Sequence, residues 1–220
     1  LHDEERELGV AIIDIGATSA DLAVFYEDAV CYSVSLDLAG NIITSDIAKS
    51  FDLPISIARA EEIKKKYGTV TLSNVLNSEV IPVPGIGDRG IVPCSQERLA
   101  KVMHARLSEI LGLIAENLQK RQLDKIIGAG IVLTGGTSAT EGIVQLAESI
   151  FKKPVRLGQP KQVVGLGDSL AKPSFSVGVG LLHYAAKTRE KTKGETGSQV
   201  IVGSLKIAIR RIIQVIKNYI

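Results

Sequence analysis

The spacing of apolar and polar residues changes several times along this chain, and each spacing predicts an element. LGVAIIDIG (8–16) is a continuous apolar run closed by a glycine, the pattern of a strand buried on both faces. A polar lead-in, LHDEERE, precedes it. ADLAVFYEDAV (20–30) and CYSVSLDLAG (31–40) continue with β-type residues and acidic turns, which predicts a meander. The period then lengthens. NIITSDIAKSF (41–51) places Ile42, Ile43, Ile47, Ala48 and Phe51 on one helical face. Pro54 and Ser56 introduce a second helix, IARAEEIKKKYG, with Gly68 at its C-cap position. Thr69 to Pro93 is rich in β and turn residues, and VIPVPGIGDRG (80–90) is punctuated as a hairpin or exposed loop. Ser95 is placed to N-cap a long helix from Gln96 to about Leu123, striped by Leu99, Val102, Met103, Leu107, Ile110, Leu111, Ile114 and Leu118.

GAGIVLTGG (128–136) predicts a buried strand running into a glycine turn, SATEGIVQLAESIF (138–151) a helix and PVRLG (154–158) a short strand. A small-residue helix begins at FSVGVGLLHYAAK (175–187). Residues 187–203 are polar with glycines, the composition of a flexible linker. The last segment, SLKIAIRRIIQVIKNYI (204–220), is strongly amphipathic. Leu205, Ile209, Ile212, Ile213, Ile216 and Ile220 share one side, while Lys206, Arg210 and Lys217 share the other, with Arg211 at the edge. An Ile-rich face opposite a cationic face without acid suits a helix lying flat in a membrane interface. Its charges leave no apolar run of about 18 residues, so it does not span. The alternative, packing on the protein's own core, fits less well, because core helices usually carry acid on the polar face and more Leu or Ala than Ile.

Composition narrows the function. Apolar residues make up 45%, enough for a sizeable core, while aromatics make up 4% with no Trp, which disfavours a carbohydrate- or base-stacking module. The net charge of +2 hides an asymmetry: Lys206, Arg210, Arg211 and Lys217 lie in the terminal segment, leaving a mildly acidic body. Nucleic acid is therefore not an expected partner. Cys31 and Cys94 form no CxxC pair and read as free thiols in a reducing cytoplasm. Neither a signal peptide nor a spanning segment is visible. The chain starts at Leu1 and reads as the back part of a longer polypeptide.

Three motifs carry candidate chemistry. DIGATSAD (14–21) has the form of a phosphate-binding hairpin, in which small residues let phosphate reach backbone N–H groups. Asp14 would act through Mg²⁺, usually by way of waters. IVLTGGTS (131–138) offers Gly135 and Gly136 for close backbone approach to a ligand, but it is not GxGxxG. ARAEEIKKKYG (58–68) sets Glu61, Lys64 and Lys65 on adjacent helical turns; by itself this reads first as a solvated charge ladder. A tight hairpin is the plain alternative for the first motif.

In this order the three motifs resemble the second half of the actin, DnaK-type chaperone and sugar-kinase superfamily. ERELGVAIIDIG, AGNIITSDIA, AEEIKKKYG, GIVLTGGTSATEGI, PVRLG and SVGVGLLHY resemble the FtsA family of bacterial cell-division proteins over nearly the whole chain. The resemblance implies an α/β, actin-like lobe of ribonuclease-H type, residues 7–45 and 124–186. A smaller inserted α+β subdomain at 46–123, the linker at 187–203 and a membrane-targeting helix at 204–220 complete it. It implies ATP with Mg²⁺ as cofactors. Asp14, Gly16, Thr18 and Ser19 would take the phosphates, with Asp14 toward the metal. Glu61, Lys64, Lys65, Gly135, Gly136 and Thr137 would take the adenosine.

It further implies a peripheral adaptor on the cytoplasmic face of the cell membrane at the division site, with self-association into actin-like filaments. That adaptor would bind the FtsZ C-terminal tail through the inserted subdomain, with Arg89 and Arg98 as contacts, and an anionic membrane through its terminal helix. Two departures bear on the nucleotide. The family pattern DIGGGTTD is DIGATSAD here: Ala17 and Thr18 replace glycines, and Ser19 and Ala20 replace threonines. The family's first half, with its phosphate-1 hairpin and catalytic acid, is not visible, so weak binding and no turnover are expected of this chain as it stands. The rival readings are an ATP-using enzyme of the superfamily and a pilus-assembly scaffold, which leaves the basic helix unexplained. A third rival is an inert fragment.

Overall fold

The computed structural model describes residues 1–50, 55–74, 80–84, 90–160 and 170–193, in two compact units, Leu1–Val179 and Gly180–Ile220. The terminal helix at 204–220, the linker beyond Lys193 and Arg89 lie outside the described residues.

The first unit opens with a helix, α1 (Asp3–Leu8), followed by the expected meander β1 (Val10–Ile15), β2 (Ala20–Tyr26) and β3 (Ala29–Leu36). Helices α2 (Gly40–Ser50) and α3 (Ile57–Tyr67) come next, then the hairpin β4 (Val80–Pro84) and β5 (Ile91–Ser95). Helix α4 (Gln96–Lys120) starts as expected: the Ser95 side chain accepts a hydrogen bond from the Arg98 amide. Strand β6 (Ile131–Thr134), a 3₁₀ turn at Gly136–Ala139, helix α5 (Ile143–Phe151) and strand β7 (Val155–Leu157) follow. Helix α6 (Ser176–Lys193) begins in the first unit and continues into the second.

The main sheet has the order β3-β2-β1-β6-β7. The meander strands are antiparallel, whereas β1–β6 and β6–β7 are parallel. Parallel neighbours need a crossover, and α5 supplies the one between β6 and β7. One face of the meander, with Ile13, Ile15, Leu22 and Val24, shares a core with Ile43 and Ile47 of α2 and the stripe Leu107, Ile110, Leu111, Ile114 and Leu118 of α4. Each such fully buried side chain contributes roughly 1.5–3 kcal/mol. The sequence boundaries placed α4 inside an inserted part at 46–123. Here its stripe packs into the sheet's core, because a 25-residue helix presents more apolar surface than a small hairpin layer covers.

Two further features go beyond the sequence reading. The polar lead-in is helical. Its Glu5 carboxylate accepts hydrogen bonds from Arg156 Nε and Nη2 at 2.6 and 2.7 Å, and also caps the His2 amide at 2.7 Å. This fork ties α1 to β7. Helix α6 runs on to Lys193, into the segment whose composition read as linker from residue 187. Among the described residues no helix is long and apolar enough to cross a membrane.

The fork makes a pH prediction. The Arg156 hydrogen bonds hold the Glu5 pKa down at about 2, against the partial burial that opposes them. A depressed carboxyl pKa stabilises the fold fully above the unfolded value and loses that stabilisation as pH falls from about 4.5 toward 2. Glu5→Gln is expected to cost about 1–2 kcal/mol at pH 7, discounted for the exposure of Arg156. Urea unfolding should show the gap between the two proteins closing as pH is lowered toward 2. A gap independent of pH would mean that the ion pair is not its source.

Candidate functional site

Gly16 is the centre of the site. Its amide donates to the Ser19 carbonyl at 2.9 Å and closes the β1–β2 turn. Its carbonyl accepts from the Gly40 amide at 3.1 Å and from Thr137 Oγ1 at 2.8 Å. The hairpin tip, the first turn of α2 and the 3₁₀ turn after β6 are therefore fastened to one carbonyl. The Ala17 carbonyl takes a further bond from the Asn41 amide at 2.7 Å. Ala17 and Thr18 are exposed and neither has a positive φ, so side chains at these positions strain nothing. No acceptor among the described residues engages their amides.

Asp14 lies in the parallel register beside Thr134 and in the antiparallel register beside Asp21. Burial, then the neighbouring Asp21 charge, push its carboxyl above the ordinary carboxylate range. No hydrogen bond or ion pair engages that carboxylate among the described residues, and Ser19 Oγ donates instead to Asp21 at 2.9 Å. Asp14, Asp21, Ser33, Ser35 and Thr134 line an open groove of about 610 Å³ on the sheet face away from α4.

The two glycines after β6 differ. Gly135 has φ 89° and ψ 165°, a region essentially reserved for glycine. A Cβ there would lie 2.3 Å from Asp14 Oδ1 and 2.5 Å from the Ile15 carbonyl oxygen. Gly136 is exposed, and a Cβ on it would meet only Ser174 Cβ at 3.9 Å.

Glu61 and Lys64 do not form the solvated ladder that their spacing suggested. Lys64 is only 12% exposed, and its Nζ donates to the Gly40 carbonyl at 3.0 Å and to Thr44 Oγ1 at 2.8 Å. Its ion pair with Glu61 measures 2.6 Å. The single Thr44 hydroxyl proton goes to Glu61 Oε2 at 2.5 Å, which leaves the Gly40 carbonyl to the lysine. Burial pushes the Glu61 carboxyl up, but the Lys64 and Thr44 hydrogen bonds outweigh it and hold it below its usual range. Lys65 is the exposed member of the trio, at 74%, and pairs with Glu61 at 3.5 Å.

The structure thus brings together Asp14, Gly16, Thr18, Ser19, Glu61, Lys64, Gly135 and Thr137, while Arg98 is an exposed residue at the start of α4. Sequence reasoning missed Gly40 and Thr44. A Cβ on Gly40 would lie 2.7 Å from Thr137 Oγ1 and 3.3 Å from Lys64 Nζ. The available signal was a glycine at a helix start where a side-chain cap is usual, with a threonine one turn later on the buried face.

The model of the family "Cell division protein FtsA" matches residues 11–180. The chain is 43% identical over 188 residues to the cell division protein FtsA of Neisseria meningitidis serogroup B, covering 85% of this chain and 45% of that protein. It is 36% identical over 207 residues to FtsA of Escherichia coli K12, covering 91% and 49%. It therefore spans about half the length of the curated relatives it matches. Among solved structures, MreB5 of Spiroplasma citri bound to ADP aligns with TM-score 0.68 at 25% identity, over 89% of this chain and 58% of that one. The PilM–PilN type IV pilus biogenesis complex aligns with TM-score 0.58 at 22% identity, over 82% and 47%, a likeness of fold alone. The fold is actin-like, and the chain belongs to the FtsA family of cell division proteins.

Proposed function

We propose that this chain is the nucleotide-facing and membrane-tethering half of an actin-like cell-division adaptor. Its inserted β4–β5 region takes the C-terminal tail of FtsZ. Its terminal helix holds the assembly to the cytoplasmic face of the membrane at the division site. The observation that carries the reading is the junction at Gly16, where hairpin, helix and glycine turn converge inside a chain of this family.

The junction fits a nucleotide with Mg²⁺. The outward amides of Ala17 and Thr18, with the Thr18 and Ser19 hydroxyls, offer donors to phosphate oxygens. Asp14 is a part-buried carboxylate without a counter-cation among the described residues and would hold the metal, which when bound supplies positive charge to the phosphates. The backbone at Gly135–Thr137 and the exposed Lys65 would meet the adenosine. Glu61 and Lys64 act one step behind them, fixing Gly40 and the first turn of α2, which in turn fixes the hairpin tip. A bound nucleotide therefore stiffens the link between the β1–β2 hairpin and the helices leading to the partner-binding region.

The test is recruitment. A fluorescent FtsZ tail peptide should pellet with anionic vesicles only when the full chain is present. Salt should weaken the peptide step, since the positive charges of Arg89 and Arg98 would attract an acidic tail and electrostatics mainly sets encounter. Vesicles that pellet the chain and leave the peptide in solution would overturn the adaptor reading.

A further inference from the structure

The outer edge of the main sheet belongs to β3, and among the described residues no strand pairs with it. Exposed edges are normally blunted by charge, proline, short length or a bulge. Across Ala29–Leu36 there is neither a charged residue nor a proline. There is one bulge. The register passes from Val24↔Tyr32 to Phe25↔Val30, leaving Cys31 as the extra residue. The bulge protects the first part of the edge and leaves a regular stretch, Tyr32-Ser33-Val34-Ser35-Leu36.

That stretch is symmetric about Val34. Tyr32, Val34 and Leu36 pack toward the core, while Ser33 and Ser35 are exposed and line the groove face. Two copies pairing antiparallel by a two-fold axis must place that axis perpendicular to the sheet, which keeps like faces together. With the axis through Val34, Val34 meets its own copy, Tyr32 meets Leu36, and Ser33 meets Ser35. Apolar then opposes apolar and hydroxyl opposes hydroxyl at every position, without an opposed charge. Tyr32 is already fixed: its hydroxyl donates to Asn117 Oδ1 at 2.9 Å and accepts from Arg121 Nε at 2.8 Å, with the guanidinium over the ring at 4.8 Å. Little side-chain freedom remains to be lost on pairing.

We propose that β3 is a self-association edge, pairing antiparallel with β3 of a second copy about Val34 and joining the two sheets and their grooves. A five-residue strand contact is small against the ~1,600 Å² of a standard interface, so the pairing is weak and concentration-dependent. This contact goes beyond the adaptor role and can fail without altering it.

The test uses the full chain carrying Cys31→Ser. Ser33→Cys with Ser35→Cys should give an intermolecular disulfide under diamide. Each single variant should give at least about five-fold less, because equivalent residues then lie beyond the ~7 Å Cα reach of a disulfide. A second arm needs no oxidant. Ser33→Lys with Ser35→Lys should weaken sedimentation-equilibrium dimerisation at least about ten-fold, and Ser33→Lys with Ser35→Glu should restore it. Both positions are exposed, so thermal melts should match the parent. Cross-linking no stronger in the double than in the singles, or lysine variants that associate like the parent, would overturn the proposal. A parent that stays monomeric at high concentration would do the same.

Discussion

Gly135→Ala is expected to remove about 3–5 kcal/mol of stability and to abolish any heat of Mg·ATP binding. Two effects add. The backbone at φ 89°, ψ 165° costs a residue with a Cβ about 1–3 kcal/mol. The new Cβ would also press on Asp14 Oδ1 at 2.3 Å and on the carbonyl oxygen and carbon of Ile15 at 2.5 and 2.7 Å. Ile15 ends the central strand, so this backbone cannot swing aside as the end of a flexible side chain would. Relief would come from parting the ends of β1 and β6, which moves Asp14 and Gly16 together and breaks the Thr137 bond to Gly16. Against a typical total of about 5–15 kcal/mol, this is a large share. Gly136→Ala, beside it and open to solvent, should be nearly neutral. Urea unfolding and calorimetric titration of the two variants test the contrast. Equal stability of Gly135→Ala and the parent would mean that the strand ends are looser than described.

What was legible in the sequence follows from range. The central strand was visible in VAIIDI as a continuous apolar run, but only the face with Ala11, Ile13 and Ile15 is fully buried. Ile12 and Asp14, on the other face, border the groove, so the expected burial on both faces is corrected to one. Ser95 marked the start of α4 because an N-cap acts within one turn. Helix α1 was not legible. Five polar residues and one leucine make no amphipathic stripe, and the group that holds them, Arg156, is 151 positions from Glu5. The same limit explains Lys64. Its spacing to Glu61 predicts an exposed pair, and only the approach of Gly40 and Thr44, from a preceding helix, takes it out of water. The Gly16 junction lies between these cases. The small residues of DIGATSAD and GGT announce that backbones come close, but not which carbonyl receives Thr137, 121 positions away. Nor was the β1–β6 register, which sets Asp14 beside Thr134, legible from either segment alone.

The second large effect concerns residues 204–220. The full chain should co-sediment with anionic vesicles, and a chain ending at Gly203 should not. The expectation rests on the sequence pattern. Lys206, Arg210, Arg211 and Lys217 near a negative surface contribute roughly 1 kcal/mol each. Insertion of the face bearing Leu205, Ile209, Ile212, Ile213, Ile216 and Ile220 adds about 25 cal/mol per Å² of apolar area, less the cost of ordering the segment. Ile212→Glu with Ile216→Glu replaces two insertion anchors by charges that a negative surface repels. Losing about 2 kcal/mol at each anchor, before the repulsion, lowers partitioning by roughly a thousandfold. Lys206→Gln with Arg210→Gln removes about 2 kcal/mol of attraction while leaving the apolar face intact, so binding should weaken about thirty-fold. The two variants also separate in lipid dependence. The glutamine pair should flatten the response to anionic lipid, whereas the glutamate pair should fail on every composition. If the truncated and full chains sediment alike, the Ile-rich face is covered by protein instead, and the tether loses its membrane end.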